Sequence, residues 1–219
     1  LVKTIAGVHP IDEGVIEWEG TSVSINRPQD AQHLGVATVY QDLALCDNLD
    51  IVQNMFLGRE ELKRFQLDEI SMELQAKQTL ADLSVVTVRS IRQPVGSLSG
   101  GQRQAVAVAR AVMQQAQLVV MDEPTAALGV TQTKVVLDLI DTLSSRGIAV
   151  LVISHNLTDV LNSADRIAVL YLGRMAAVAP VEQLDTSSIV ELMTTGRSDR
   201  THPPAADQVQ AGQHAGEAS

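Results

Sequence analysis

The sequence predicts an α/β fold: a parallel sheet with helices over both faces. Three observations carry that prediction. First, the runs 118–121, 148–153 and 167–172 are almost wholly apolar, and all are far too short to cross a bilayer. Second, helical patterns separate them. Across 131–146, Val135, Val136, Leu139, Ile140 and Leu143 recur at the spacing of one helix face, and 157–163 reads as a shorter helix. Third, strands apolar on both faces that alternate with helices belong to sheets covered on both sides.

The remaining elements follow in order. Residues 1–6 read as the end of a helix, with Gly7 as its stop. Asp12-Glu13-Gly14 is a turn. Residues 15–19 alternate like a strand, Gly20 turns the chain, and 22–25 read as a second strand of a hairpin. The β-branched run 36–40 is a short buried strand. Residues 49–57 and 68–83 read as helices; in the second, Ile70, Leu74 and Lys77 share a face and Asp68 is placed to cap. Residues 102–115 are helical. Ser188 and Glu191 have the spacing of a capping box at the start of a last helix. From 197 to 219 the chain turns to Ala, Gln, Gly, Pro and His, with little to bury, and is expected to be a disordered tail.

Composition narrows the functions. With 219 residues, 45% of them hydrophobic, the chain is long enough to bury a substantial core. A net charge of −10 offers no basic field for a polyanion, and 2% aromatics offer no stacking platform, so no nucleic-acid partner is expected. The single cysteine, Cys46, excludes an internal disulfide. No secretory signal pattern is read, so a membrane role would come through a partner.

The strongest chemical signal is Leu118-Val-Val-Met-Asp122-Glu123, an apolar strand ending in two adjacent acids. Ligands of α/β folds bind at the C-terminal ends of strands. Two acids there suit metal-nucleotide chemistry: one to bind Mg²⁺ through water, the other to orient or deprotonate the attacking water. A solvated acidic turn is the plainer reading of those two residues alone. Leu98-Ser99-Gly100-Gly101-Gln102 opens a helix 24 residues before Asp122. Its glycines leave amide groups and the positive helix end uncovered, which makes an anion site to which Ser99 adds a hydroxyl. A flexible Ser-Gly loop is the alternative. His155 follows the 148–153 strand, at the end where it reaches the same crevice. Most lone histidines are structural, but this position favours function. Gln41 ends the 36–40 strand and can bind a metal or a water. Lys3 has no glycine before it and reads as a surface helix lysine, not a phosphate-loop lysine.

Together and in this order, these segments resemble the ATP-binding cassette family over roughly residues 1–195. Gln41 matches the Q-loop, 98–102 the LSGGQ signature, 118–123 the Walker B strand with its glutamate, 126–129 the D-loop and His155 the switch histidine. The resemblance implies a RecA-like parallel core, a helical subdomain at about 42–97, and part of a small antiparallel β subdomain that includes the 15–25 hairpin. It implies one ATP-binding domain over 1–196, with ATP and Mg²⁺ as cofactors. Ser99, Gly100, Gly101 and Gln102 would then cap the ATP of a partner subunit. Asp122 and Gln41 would hold Mg²⁺, while Glu123, His155 and Gln41 would serve catalysis.

Two departures stand out. The D-loop reads Ala-Ala-Leu-Gly, with Gly129 where the family commonly has aspartate. No Gly-Lys-[Ser/Thr] phosphate loop is present. In the family, a helical segment like Leu1-Val-Lys-Thr-Ile-Ala-Gly7 comes directly after that loop, so the chain is expected to be cut immediately behind it. The segments 39–50 and 54–59 further resemble the ATPases of ribose, xylose and fructose importers. That implies ATP-driven monosaccharide uptake at the cytoplasmic face of the membrane, with a permease, a second ATPase subunit forming a homodimer, and, indirectly, a periplasmic or lipoprotein sugar-binding protein. The alternatives are a non-transport cassette protein and a non-catalytic interaction module.

Overall fold

The computed structural model describes residues 1–85, 88 and 90–198. It divides into two compact units, 1–155 and 156 onward, and each is described by itself.

The first unit opens with α1 (Val2–Ile5), the hairpin β1 (Ile16–Trp18) and β2 (Thr21–Val23), then α2 (Pro28–His33). Its centre is a three-stranded parallel sheet of β3 (Val36–Val39), β6 (Leu118–Asp122) and β7 (Ala149–Ile153), in the order β3-β6-β7. Central β6 buries Val119, Val120 and Met121 completely, which is why this run lacks the polar alternation of a half-exposed strand. One face of the sheet meets α1, α2 and the β1–β2 hairpin through Val2, Ile5, Ile16, Ile25 and Ala31. The larger core lies on the other face. It gathers α3 (Ile51–Phe56), α4 (Glu69–Asp82), α5 (Gly100–Val112) and α6 (Val130–Ser145). Helix α6 buries Val136, Leu139, Ile140 and Leu143, four of the five residues of the expected stripe, while Val135 is only partly buried. Leu143 has no exposed surface, so Leu143→Ala is expected to cost about 2–5 kcal/mol in urea unfolding.

Between α3 and α4 lies a small hairpin, β4 (Leu62–Lys63) with β5 (Gln66–Leu67), that the sequence pattern does not reveal. Asp68 does cap α4, accepting from the Ser71 N–H at 3.2 Å. The buried face of α4, however, is not Ile70, Leu74 and Lys77. Met72, Ala76 and Leu80 point into the core, while Ile70 and Leu74 stay 74% and 63% exposed. Both sets have i, i+4 spacing, and the partners α3 and α5 decide between them.

The second unit contains α7 (Leu157–Ser163), β8 (Arg166–Tyr171), β9 (Arg174–Pro180) and α8 (Thr186–Thr195). Here two expectations are corrected. The run at 167–172 does not join the parallel sheet. It forms β8, antiparallel to β9. Leu172 and Gly173 between them both take positive φ, 45° and 79°, the geometry of a tight two-residue hairpin. Burial alternates along β8, with Ile167 and Val169 inside and Leu170 half-exposed. The cap of α8 is Asp185 rather than Ser188: its carboxylate accepts from the Ser188 N–H at 2.7 Å, and the Ser188 hydroxyl accepts from the Asp185 N–H at 3.0 Å. Asp185 precedes a Thr-Ser-Ser run, and as the last residue with extended backbone before the helix it takes the cap. The expected tail at 197–219 lies, beyond its first two residues, outside the described residues.

Candidate functional site

The three parallel strands end level. Val39 lies beside Met121, Met121 beside Val152, and Asp122 beside Ile153. The residues just past these ends are Gln41, Glu123 and His155, so strand register alone brings three of the predicted site residues to one sheet edge, where Asp122 ends β6. Asp122 and Glu123 are partly buried; Gln41 and His155 are exposed.

Glu123 is the pivot. Its N–H donates to the Ile153 carbonyl at 2.8 Å, which ties the turn after β6 to the end of β7. Its φ is +50°, a left-handed conformation that costs a non-glycine residue roughly 1–2 kcal/mol. Strain of this kind persists where surrounding structure enforces it, and it concentrates at functional positions. The carboxylate then meets the imidazole: Glu123 Oε2 lies 2.8 Å from His155 Nδ1. With Glu123 ionised, the bridging proton sits on Nδ1, because a carboxylate only accepts. The Glu123 side chain is 24% exposed and that of His155 76%, so the pair is anchored in the protein at its acid end and open to a ligand at its base end. The sequence places these residues at one edge but does not announce their contact.

The 99–102 turn is built differently from the flexible loop that glycines suggest. Ser99 is the N-cap of α5. Its hydroxyl accepts from the Gln102 N–H at 3.4 Å, and its own N–H donates to Gln102 Oε1 at 2.9 Å. Ser-x-x-Gln is a capping box, a signal that the spacing of these two residues carries in the sequence. The amides of Gly100 and Gly101 lie in the first turn, where they have no intrahelical acceptor. The glycines also have a packing role. A Cβ on Gly100 would fall 2.6 Å from Leu128 Cδ2, and one on Gly101 would fall 3.2 Å from the Gln132 carbonyl oxygen. They let the start of α5 touch the 128–132 segment. Gly129 has no such constraint: its φ is −74°, it is the N-cap of α6, and nothing lies within 4 Å of a Cβ there.

Among the described residues, no group of three or more His, Cys, Asp or Glu side chains forms a metal cage. Mg²⁺ needs none, since it takes one or two carboxylates and completes its shell with phosphate oxygens and water. The oxygen donors of Asp122 and Gln41 fit that requirement. Lys3 is exposed on α1, as a surface lysine should be. No helix among the described residues is long and apolar enough to cross a membrane.

The profile of the ABC transporter family matches residues 1–126. The fructose import ATP-binding protein FrcA of Rhizobium meliloti is 44% identical over 201 residues, which is 89% of this chain and 77% of that protein. The xylose/arabinose import ATP-binding protein XylG of Sulfolobus acidocaldarius is 43% identical, again over 89% and 77%. The xylose import protein XylG of Burkholderia cenocepacia is 32% identical over 91% of this chain, but over only 39% of its own length. Among solved structures, the ATP-binding cassette MJ1267 in its ADP conformation shares the fold, with a TM-score of 0.72 at 24% identity over 89% of this chain and 78% of that one. With the family profile matched over residues 1–126 and relatives above 40% identity aligned over most of its length, the chain belongs to the ABC transporter family.

Proposed function

We propose that this chain belongs to the ATP-hydrolysing subunit of a monosaccharide importer, with one cassette domain spanning 1–196. The observation that carries the chemistry is the Glu123–His155 pair, 2.8 Å apart at the end of β6. The identity to fructose and xylose/arabinose import ATP-binding proteins supports the transport class and disfavours a non-transport or purely structural role. Glu123 accepts the proton of the attacking water, as a general base must. His155 fixes the carboxylate through Nδ1 and, when protonated, donates from Nε2 to a γ-phosphate oxygen. Asp122 and Gln41 would hold Mg²⁺, which when bound would supply positive charge to offset that of the phosphates. Ser99, Gly100, Gly101 and Gln102 offer the start of α5 to the γ-phosphate held by a second subunit. That subunit is a second copy of this protein. A membrane permease, fed by a sugar-binding protein, couples to the segment after Gln41, and the assembly sits at the cytoplasmic face of the membrane.

The decisive experiment is uptake. Vesicles carrying the complete ATPase, its permease and its sugar-binding protein should accumulate labelled pentose or hexose only with MgATP inside. Sugar-independent ATP turnover, with no accumulation of any monosaccharide tested, would overturn the transport assignment. The 219 residues contain no Gly-Lys-[Ser/Thr] phosphate loop. On their own they are expected to show ATPase activity at background in a phosphate-release assay, and activity clearly above it would remove the phosphate lysine from the mechanism.

A further inference from the structure

The segment between Gln41 and α3 is fastened at several points: to α3, to the residues that lead into α5, and to α5 itself. Asn54 on α3 is wholly buried. It accepts from the Cys46 N–H at 2.7 Å, and its Nδ2 donates to the carbonyls of Cys46, Leu49 and Asp50 at 2.9, 3.2 and 3.0 Å. A buried amide satisfied by the backbone of one loop fixes the shape of that loop, because each partner would otherwise be stranded. The loop is then joined to the residues that lead into α5. The Leu49 carbonyl accepts from the Val95 N–H, and the Asp47 carbonyl from the Gly96 N–H, both at 3.0 Å. Gly96 cannot carry a side chain without crowding, since a Cβ would lie 3.1 Å from the Asp47 carbonyl oxygen. The Asp47 carboxylate pairs with Arg103 Nη2 at 2.7 Å, one turn into α5. At the other end of the helix, Arg110 Nη1 donates to the Ala44 carbonyl at 3.4 Å.

We propose that Asn54 and Asp47 are positioning residues that make the 44–50 segment and the 99–102 turn one moving body. A displacement of the segment then reaches Ser99 and Gly100 without slack, through α5 itself. This rests on the reading of 99–102 as the turn that caps nucleotide and of the segment after Gln41 as the permease contact.

The test uses the assembled transporter turning over MgATP. The Asp47 side chain is 65% exposed, so Asp47→Ala leaves the core intact. Asp47→Ala and Arg103→Ala should each lower kcat about tenfold with the permease present, with KM for ATP moving less than about twofold. The double variant should be no slower than either single, the mark of a coupled pair. The swap Asp47→Arg with Arg103→Asp should recover at least about half the rate. In the same preparations, Asn54→Ala should speed hydrogen exchange in the 94–103 peptide by about tenfold while β6 stays protected. Multiplicative losses, a swap without rescue, or unchanged exchange at 94–103 would each overturn the proposal. An inactive wild-type assembly would sink the ATPase reading instead, and the exchange measurement would still decide whether the two segments are locked.

Discussion

Glu123→Gln in the complete ATPase lowers ATP turnover by about 10²- to 10⁴-fold, the range general-base catalysis supplies. Glutamine has the same length and keeps an oxygen that can accept from His155 Nδ1, so the 2.8 Å contact has a substitute. The backbone is also spared: the Glu123 N–H bond to the Ile153 carbonyl and the φ of +50° do not depend on side-chain charge. Only the basic oxygen is lost. Nucleotide binding and the capping turn at 99–102 are untouched, so the variant should accumulate as ATP-bound dimers, visible by size exclusion with MgATP. Phosphate release at the wild-type rate would remove Glu123 as the base. A fall in turnover with no ATP-bound dimer would move its role from chemistry to assembly. His155→Ala, by contrast, frees the Glu123 carboxylate and removes the proposed phosphate contact, so it should slow turnover without trapping dimers as cleanly.

Much of this site is legible in the sequence because strand periodicity and strand ends are local signals. An apolar run ending in Asp122-Glu123 specifies a buried strand and a polar edge together, and the register of β3, β6 and β7 does the rest. Asp68 is legible as a cap for the same reason. The features that sequence reasoning misplaces depend on partners. Ile70–Leu74 and Met72–Ala76 are equally good helical stripes, and only α3 and α5 choose between them. The run at 167–172 is as apolar as β6, and its antiparallel fate lies in Leu172-Gly173, a hairpin signal outweighed by the hydrophobic run before it. The Glu123–His155 contact and the packing of Gly100 and Gly101 on 128–132 join residues far apart in the chain, and no local pattern encodes such pairings.

Gly7→Ala should be among the most destabilising single changes in the first unit, at a net cost of about 1–5 kcal/mol. Two independent costs add. Gly7 has φ +71° where α1 ends, and an L-residue held left-handed costs roughly 1–2 kcal/mol. The added methyl also has nowhere to go. It would clash with the Arg27 carbonyl oxygen and come within 2.9 Å of the Pro28 nitrogen. Those are backbone atoms at the start of α2, whose position is set by Asp30 accepting from the N–H groups of Asn26 and Arg27 at 3.0 and 3.2 Å. A flexible side chain could swing aside, but a capped helix start must shift as a unit, and overpacking of that kind costs about 1–3 kcal/mol. The reduced entropy of the unfolded chain returns only about 0.4–1 kcal/mol. Gly20→Ala is the matched control, because Gly20 has φ +76° and nothing within 4 Å of its Cβ position. It should lose the backbone term alone. Equal unfolding free energies for the two variants would show that α1 and α2 separate freely, and that the close approach of Gly7 to Arg27 does not hold them together.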